Sequence, residues 1–396
     1  MKKIGLVGLY SIDNMGDLVI CESSRFLLKD YADRVEIVDV DAAPRGLSSY
    51  PGIRKLNLLV AAFLTRIVVP VLLKFLTSSK ARYHIESFVW RLRFQWHFKS
   101  VIPTCNAVIF SGGGFLKYRN QGLNYLVEQV VEICEKNDIP VMLSAVGIEG
   151  FDIDDYRCAR LKQTLQSPCI HTVTTRDFIE ILEGDYAVSD PVHTALVGDP
   201  AFWIPECYAA AKQDSATIGV NVIRPDIYTA YDNKLTPAEL EAFYIGLLSA
   251  LDAKEADWVL FSNGMKSDHE FGLKLLDALG KPSSLLLPPP QTAREMVGII
   301  SGFKNIFGAR MHACITAYSL NVPVVGLIWN EKLTRLSELT GQRNMFFRET
   351  EMDAENMAQK LLDADFYEYD TDRRDELKAK TKFELDNFVR SVLADS

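Results

Sequence analysis

The segment NIFGARMHACITAYSLNVPVVGLIW, residues 305–329, decides the fold. Its opening apolar run predicts a short buried strand over 305–308. A helix is expected over 311–320 and a second buried strand over 322–328. Arg310 and His312 stand where the first strand turns into the helix. In an α/β domain that place is the carboxyl edge of the sheet, where helix N-termini and loop backbones converge on ligands. There Arg310 can grip an anion with two parallel hydrogen bonds, and His312 can move a proton near neutral pH. A plainer reading makes Arg310 half of a structural ion pair and His312 a hydrogen-bonded cap.

The chain opens with a similar unit. A strand is expected over 3–9, then the loop YSIDNMGD (10–17), a helix over 18–30 and a strand over 35–40. The loop lacks the GxGxxG spacing of a dinucleotide-binding turn. Gly16 suits a crowded or left-handed turn, Asp17 is placed to cap the helix, and Asn14 can present its amide to a ligand. A well-capped turn and nothing more is the competing reading. A strand over 106–111 ends in Gly112, Gly113 and Gly114, with Arg119 shortly after. The three glycines either leave room for a ligand beside bare backbone N–H groups or make a tight turn. No Lys-Ser/Thr pair follows, so this is not a P-loop.

Strands are expected over 141–146, 170–173 and 194–197. Arg176 and Asp177 begin a helix after the second of these, Arg176 as a further anion ligand and Asp177 as its brace or as a cap. Asp199 precedes Pro200 at the expected domain junction, and 201–215 is the expected linker. The second domain starts with a strand over 216–222 that carries Asn221 at its end. A strand over 258–261 leads to Asn263, and Asp268 and His269 follow in an expected loop. Another strand is expected over 284–287, helices over 292–301 and 351–364, and a polar helical tail over 373–392.

Four pieces in this order resemble the polysaccharide pyruvyl transferases: Asn14-x-Gly16-Asp17, the run Gly112 to Gly114, Arg176-Asp177 with the later Asp199-Pro200, and Arg310-x-His312 followed by Val322-Pro323. The resemblance covers most of the chain outside 45–100. It implies two Rossmann-like α/β domains facing across a cleft in a glycosyltransferase-B-like architecture. The domains are then 1–200 and 216–396. It also implies transfer of a pyruvyl unit from phosphoenolpyruvate to a surface polysaccharide or its lipid-linked precursor, closing a cyclic ketal. Phosphoenolpyruvate carries a carboxylate and a phosphate, and Arg176 and Arg310 can each hold one. His312 is the candidate acid or base. Asn14, Gly16, Asp17, Gly112, Gly113, Gly114, Arg119, Asp177, Asp199, Asn221 and Asn263 are the candidate binding residues. The scheme requires no metal or redox cofactor. Two alternatives remain open on these residues: a sugar-nucleotide glycosyltransferase of the same shape, and a non-catalytic adaptor that binds a membrane or a partner.

A chain of 396 residues with formal net charge −9 is long enough for two domains, and its acidity argues against a nucleic-acid partner. Seven scattered cysteines without a CxxC pair point to reduced thiols in a cytosolic protein, and no metal-ligand spacing occurs. The short apolar N-terminal run lacks a cleavage-site pattern.

Residues 45–100 break the pattern. From Arg45 to Lys99 there are ten Lys and Arg against the single acid Glu86, with nine aromatics and an almost wholly apolar run at 56–76. Arg66 and Pro70 within that run argue against a membrane span. The mixture predicts a helical insertion lying on an anionic membrane surface, at the inner face of a bacterial cell membrane. A packed insertion or a homodimer interface is the competing reading.

Overall fold

The computed structural model describes residues 1–10, 14–43, 78–118, 122–229, 235–364 and 369–394. The chain forms two compact units. The first comprises Met1–Ile12, Ser24–Asp199 and Ala379–Ser396, and the second comprises Asp13–Ser23 and Pro200–Lys378.

The first unit is built on six strands: β1 (Lys2–Gly8), β2 (Val35–Asp41), β3 (Ala107–Ser111), β4 (Val141–Val146), β5 (Ile170–Thr175) and β6 (His193–Leu196). They lie in the order β2-β1-β3-β4-β5-β6, every pair parallel. A parallel sheet needs crossover connections whose helices cover its faces, and its inner strands read as unbroken apolar runs. β3 and β4 obey this, with every residue buried. The strand order reverses between β1 and β3, so the loops after Gly8 and Ser111 leave the sheet at its switch point.

The second unit carries β7 (Ile218–Asn221), β8 (Trp258–Phe261), β9 (Asn305–Gly308), β10 (Val324–Ile328) and β11 (Phe346–Arg348). Their order is β11-β10-β9-β7-β8, again all parallel. Here the order reverses between β7 and β9. The deciding segment 305–329 appears as β9, the helix Met311–Ser319 and β10.

Three expectations change. The strand expected over 284–287 is a 3-10 turn, Ser283–Leu285, with one bridge from Leu286 to Leu260. Pro282 before it and Pro288 to Pro290 after it supply no backbone donors, so a ladder cannot extend there. The expected linker 201–215 is structured in its first half. The 3-10 turn Pro200–Trp203 and the helix Ile204–Tyr208 bury Ala201, Phe202, Ile204 and Tyr208 in the core of the second unit. Asp268 and His269 lie in the first turn of a helix, Lys266–Ala278, instead of a loop. The polar tail is the helix Thr371–Ala394, and Thr381 donates to the carbonyl of Gly198 at 2.8 Å within the first unit.

Of the unusual stretch 45–100, residues 45–77 lie outside the described residues. The remainder belongs to the helix Ser79–Val101, whose Ser78 accepts from the Ala81 N–H as N-cap. One face of it packs in the first unit. Phe94 and Phe98 join the core there, and Arg91 grips Glu132 with two bonds of 2.7 and 2.6 Å. Among the described residues no helix is long and apolar enough to cross a membrane.

Candidate functional site

β7 and β9 are neighbours at the switch point of the second sheet, and the end of β7 meets the turn that follows β9. Asn221, the last residue of β7, is fully buried. Its Oδ1 accepts the Arg310 backbone N–H at 2.9 Å, which holds the start of the helix Met311–Ser319 against the strand end. Its Nδ2 donates to the Phe261 carbonyl at 3.3 Å and to Asn263 Oδ1 at 3.1 Å. Asn263 is thereby fixed just beyond β8. Its carbonyl accepts the Met15 N–H at 3.0 Å. Its own Nδ2 is buried and has no hydrogen-bond partner among the described residues.

Arg310 points away from its helix into a carboxylate. Asp268 is completely buried and accepts from Arg310 Nε at 2.8 Å and from Nη2 at 2.7 Å. It also accepts the Arg224 backbone N–H at 3.0 Å. A guanidinium has five donors in a rigid fork. Asp268 occupies one edge of that fork and sets its direction, and Nη1 makes no hydrogen bond among the described residues. The expected ion pair of Arg310 and its expected role on an anion are therefore compatible.

His312 sits in the first turn of the same helix and is 7% exposed. Its ring lies against Gly16. A Cβ built on Gly16 would stand 2.5 Å from both Cβ and Nδ1 of His312. Glycine is needed here for space. Gly16→Ala is expected to push the imidazole out of place and to cost about 1–3 kcal/mol of stability through overpacking. Thermal melting together with turnover checks this; a variant with unchanged melting and turnover would show that the contact is slack.

The loop before Gly16 is organised by Asn14, whose Oδ1 accepts the Gly16 N–H at 3.3 Å and whose Nδ2 donates to Asp17 at 2.8 Å. The helix begins at Met15, so Asp17 stands in its first turn and Asn14 takes the capping place expected for Asp17. Cys314, two residues past His312, is not a candidate nucleophile, because burial pushes its thiol up to about 12. All seven cysteines are free thiols.

The other candidates belong to the first unit. Gly112 and Gly113 both have φ of 77°, the left-handed region where a side chain is strained. Both are buried, and the Gly113 carbonyl accepts the Gly147 N–H at 2.7 Å. The Lys117 side chain lies over Gly114, where a Cβ would meet its Cε at 2.6 Å. Arg119 lies outside the described residues. Asp177 accepts the N–H groups of Ile148 at 3.0 Å and Phe178 at 2.9 Å, and the Thr175 hydroxyl at 2.9 Å. It braces the loop after β4. Arg176 donates to Asp199, and both side chains are buried.

Asn14, Gly16, Asp17, Asn221, Asn263, Arg310 and His312 thus come together in the second unit. Gly112 to Gly114, Arg176, Asp177 and Asp199 stay in the first. Asp268 and Lys117 were not among the expected site residues. A lone Asp in an expected loop gives no sign of its partner 42 positions on, whereas a lysine three residues past a glycine run was a usable sign.

Solved structures with a similar fold include the UDP-GlcNAc 2-epimerase of Methanocaldococcus jannaschii in complex with UDP-GlcNAc and UDP, with TM-score 0.54, 10% identity, and 99% of this chain and 100% of that chain covered. The UDP-GlcNAc 2-epimerase of Neisseria meningitidis bound to UDP-GlcNAc gives TM-score 0.53 at 10% identity, covering 100% of each chain. The α,α-trehalose 6-phosphate synthase of Burkholderia multivorans gives 0.51 at 11% identity, covering 99% and 96%. At these identities the likeness shows the fold: two Rossmann-like units of the glycosyltransferase-B-like type. No curated protein sequence matches the chain. The family model for polysaccharide pyruvyl transferase matches residues 14–331, from the asparagine that caps the first helix to past the Arg-x-His turn, and the chain belongs to that family.

Proposed function

We propose that this protein transfers a pyruvyl unit from phosphoenolpyruvate to two hydroxyls of a cell-surface saccharide or its lipid-linked precursor, forming a ketal. The observation that carries this reading is the Arg310 fork. A buried carboxylate aims it, and one edge remains for a further anion. The N-terminal end of the helix Met311–Ser319 adds its positive dipole end at the same place. The Asn263 amide, tied through Asn221 to the Arg310 backbone, adds a buried neutral donor. Such a set suits a small dianion or trianion such as phosphoenolpyruvate.

The chemistry balances without a redox step. An acceptor hydroxyl adds to the central carbon of the donor, and its proton passes to a base. The vinyl methylene takes a proton and becomes a methyl group. The carbon–oxygen bond to phosphate then breaks, and phosphate leaves with the electron pair. The second hydroxyl adds to the same carbon and closes the ketal, losing its proton. His312, one residue past Met311 and held by Gly16, is the group we assign to protonate the methylene. Arg310 and the helix end stabilise the anionic donor and the leaving phosphate.

The test is incubation of the full-length protein with extracted glycolipid and either phosphoenolpyruvate or a UDP-sugar, followed by mass analysis of the glycolipid and assay of free phosphate. Pyruvyl addition with phosphate release is the expected result. Hexosyl addition from the UDP-sugar, with nothing from phosphoenolpyruvate, would replace this reading with a glycosyltransferase.

A further inference from the structure

We propose that the outward face of the helix Ser79–Val101 docks this protein on an anionic lipid surface. The helix has two different faces. At about 100° per residue, Tyr83, Ser87, Phe94 and Phe98 fall on one side and are buried, while Val89, also buried, falls on the flank next to Trp96. On the opposite side Ile85, Phe88, Leu92, Trp96 and Lys99 fall within a sector of about 80° by the same spacing. There Phe88 is 59% exposed and Trp96 39% exposed, two of only six large apolar side chains so exposed among the described residues. Ile85 and Leu92 are half-buried, and Lys99 is exposed. Core packing does not account for a phenylalanine turned outward beside a tryptophan and a lysine.

The charge on this face selects the partner. The helix carries five Lys and Arg and one acid, Glu86, in a chain whose formal net charge is −9. Glu86 is turned inward and accepts the Tyr125 hydroxyl. Glu128 and Glu132, on the neighbouring helix Leu123–Glu135, are taken up by Tyr83 and Arg91 of the inner side. The outward side thus has no carboxylate of its own helix and carries the exposed Lys99, with Arg82 exposed on its flank. The stripe presents Phe, Trp and aliphatic residues together with an exposed lysine. It matches the headgroup layer of a bilayer, where aromatic rings sit at the interface and long basic side chains reach the phosphates. The inference does not depend on the donor proposed above.

Flotation of the full-length protein with phosphatidylcholine vesicles, with and without phosphatidylserine, tests it. The parent is expected to float only with the anionic vesicles and to detach as salt rises. The double variant F88S/K99Q, which alters two exposed side chains, should keep the parent's melting temperature. Its vesicle affinity should fall about tenfold or more. Failure of the folded parent to float at low salt would overturn the proposal. Equal flotation of parent and variant would also overturn it, by placing the contact elsewhere on the chain. A dimer that the variant dissociates, without vesicle binding by the parent, would make the face an interface between two copies instead.

Discussion

Replacing Arg176 with alanine is expected to destabilise the protein by about 3–5 kcal/mol, because it takes a guanidinium away from a buried carboxylate. Arg176 and Asp199 bond each other with side-chain exposures of 7% and 2%, at the base of the connection that leaves β6. Few single substitutions reach that size. Denaturant unfolding measures it. The companion double variant R176M/D199L removes both charges, and by the usual behaviour of buried pairs it should recover much of the loss. Unchanged unfolding of Arg176→Ala would contradict a structural role. If donor affinity falls while stability holds, Arg176 acts on the anion as its sequence context first suggests.

His312→Ala is expected to slow the chemical step by about 100- to 10,000-fold, the usual contribution of a positioned acid or base. Donor affinity should change much less, because in the proposed scheme Arg310 and the helix end hold the anion. Single-turnover measurement separates the two effects. Gly16 presses on this ring, and removing the ring leaves a gap beside a helix start that Asn221 and Asp268 still hold. A folded variant is therefore expected. A single-turnover rate equal to the parent's would exclude His312 as the acid.

Much of this arrangement was legible in the residues. The apolar run ending at Gly308, the polar pair Arg310 and His312, and the apolar run ending at Ile328 announce strand, helix and strand. Each boundary there falls where the hydrophobic period changes. Asn14-x-Gly16-Asp17 could be placed on a strand-to-helix turn, although not its capping detail, because Asn and Asp serve that purpose almost equally well. Contacts between distant residues were not legible. Nothing local to Asp268 or Arg310 states that they pair across 42 positions. The same holds for Arg176 and Asp199, both expected near a ligand, whose bond to each other no local pattern announces. The basic and aromatic character of 78–101 was visible, yet its division into an inner and an outer face rests on partners such as Glu132 and Tyr125 that only folding supplies.

The Asp268 pair also changes what Arg310 can test. Arg310→Ala leaves a fully buried carboxylate without its guanidinium, so its stability suffers along with its binding. The double variant R310A/D268N removes both charges and isolates the effect on the donor. Calorimetric titration of phosphoenolpyruvate into the parent and into this variant tests the central claim most directly. The parent is expected to bind the donor, and the folded variant to bind it about 30-fold or more weakly, the loss of a charge-assisted grip on an anion. Equal affinity in the two proteins, or a parent that ignores phosphoenolpyruvate and binds a UDP-sugar, would contradict it.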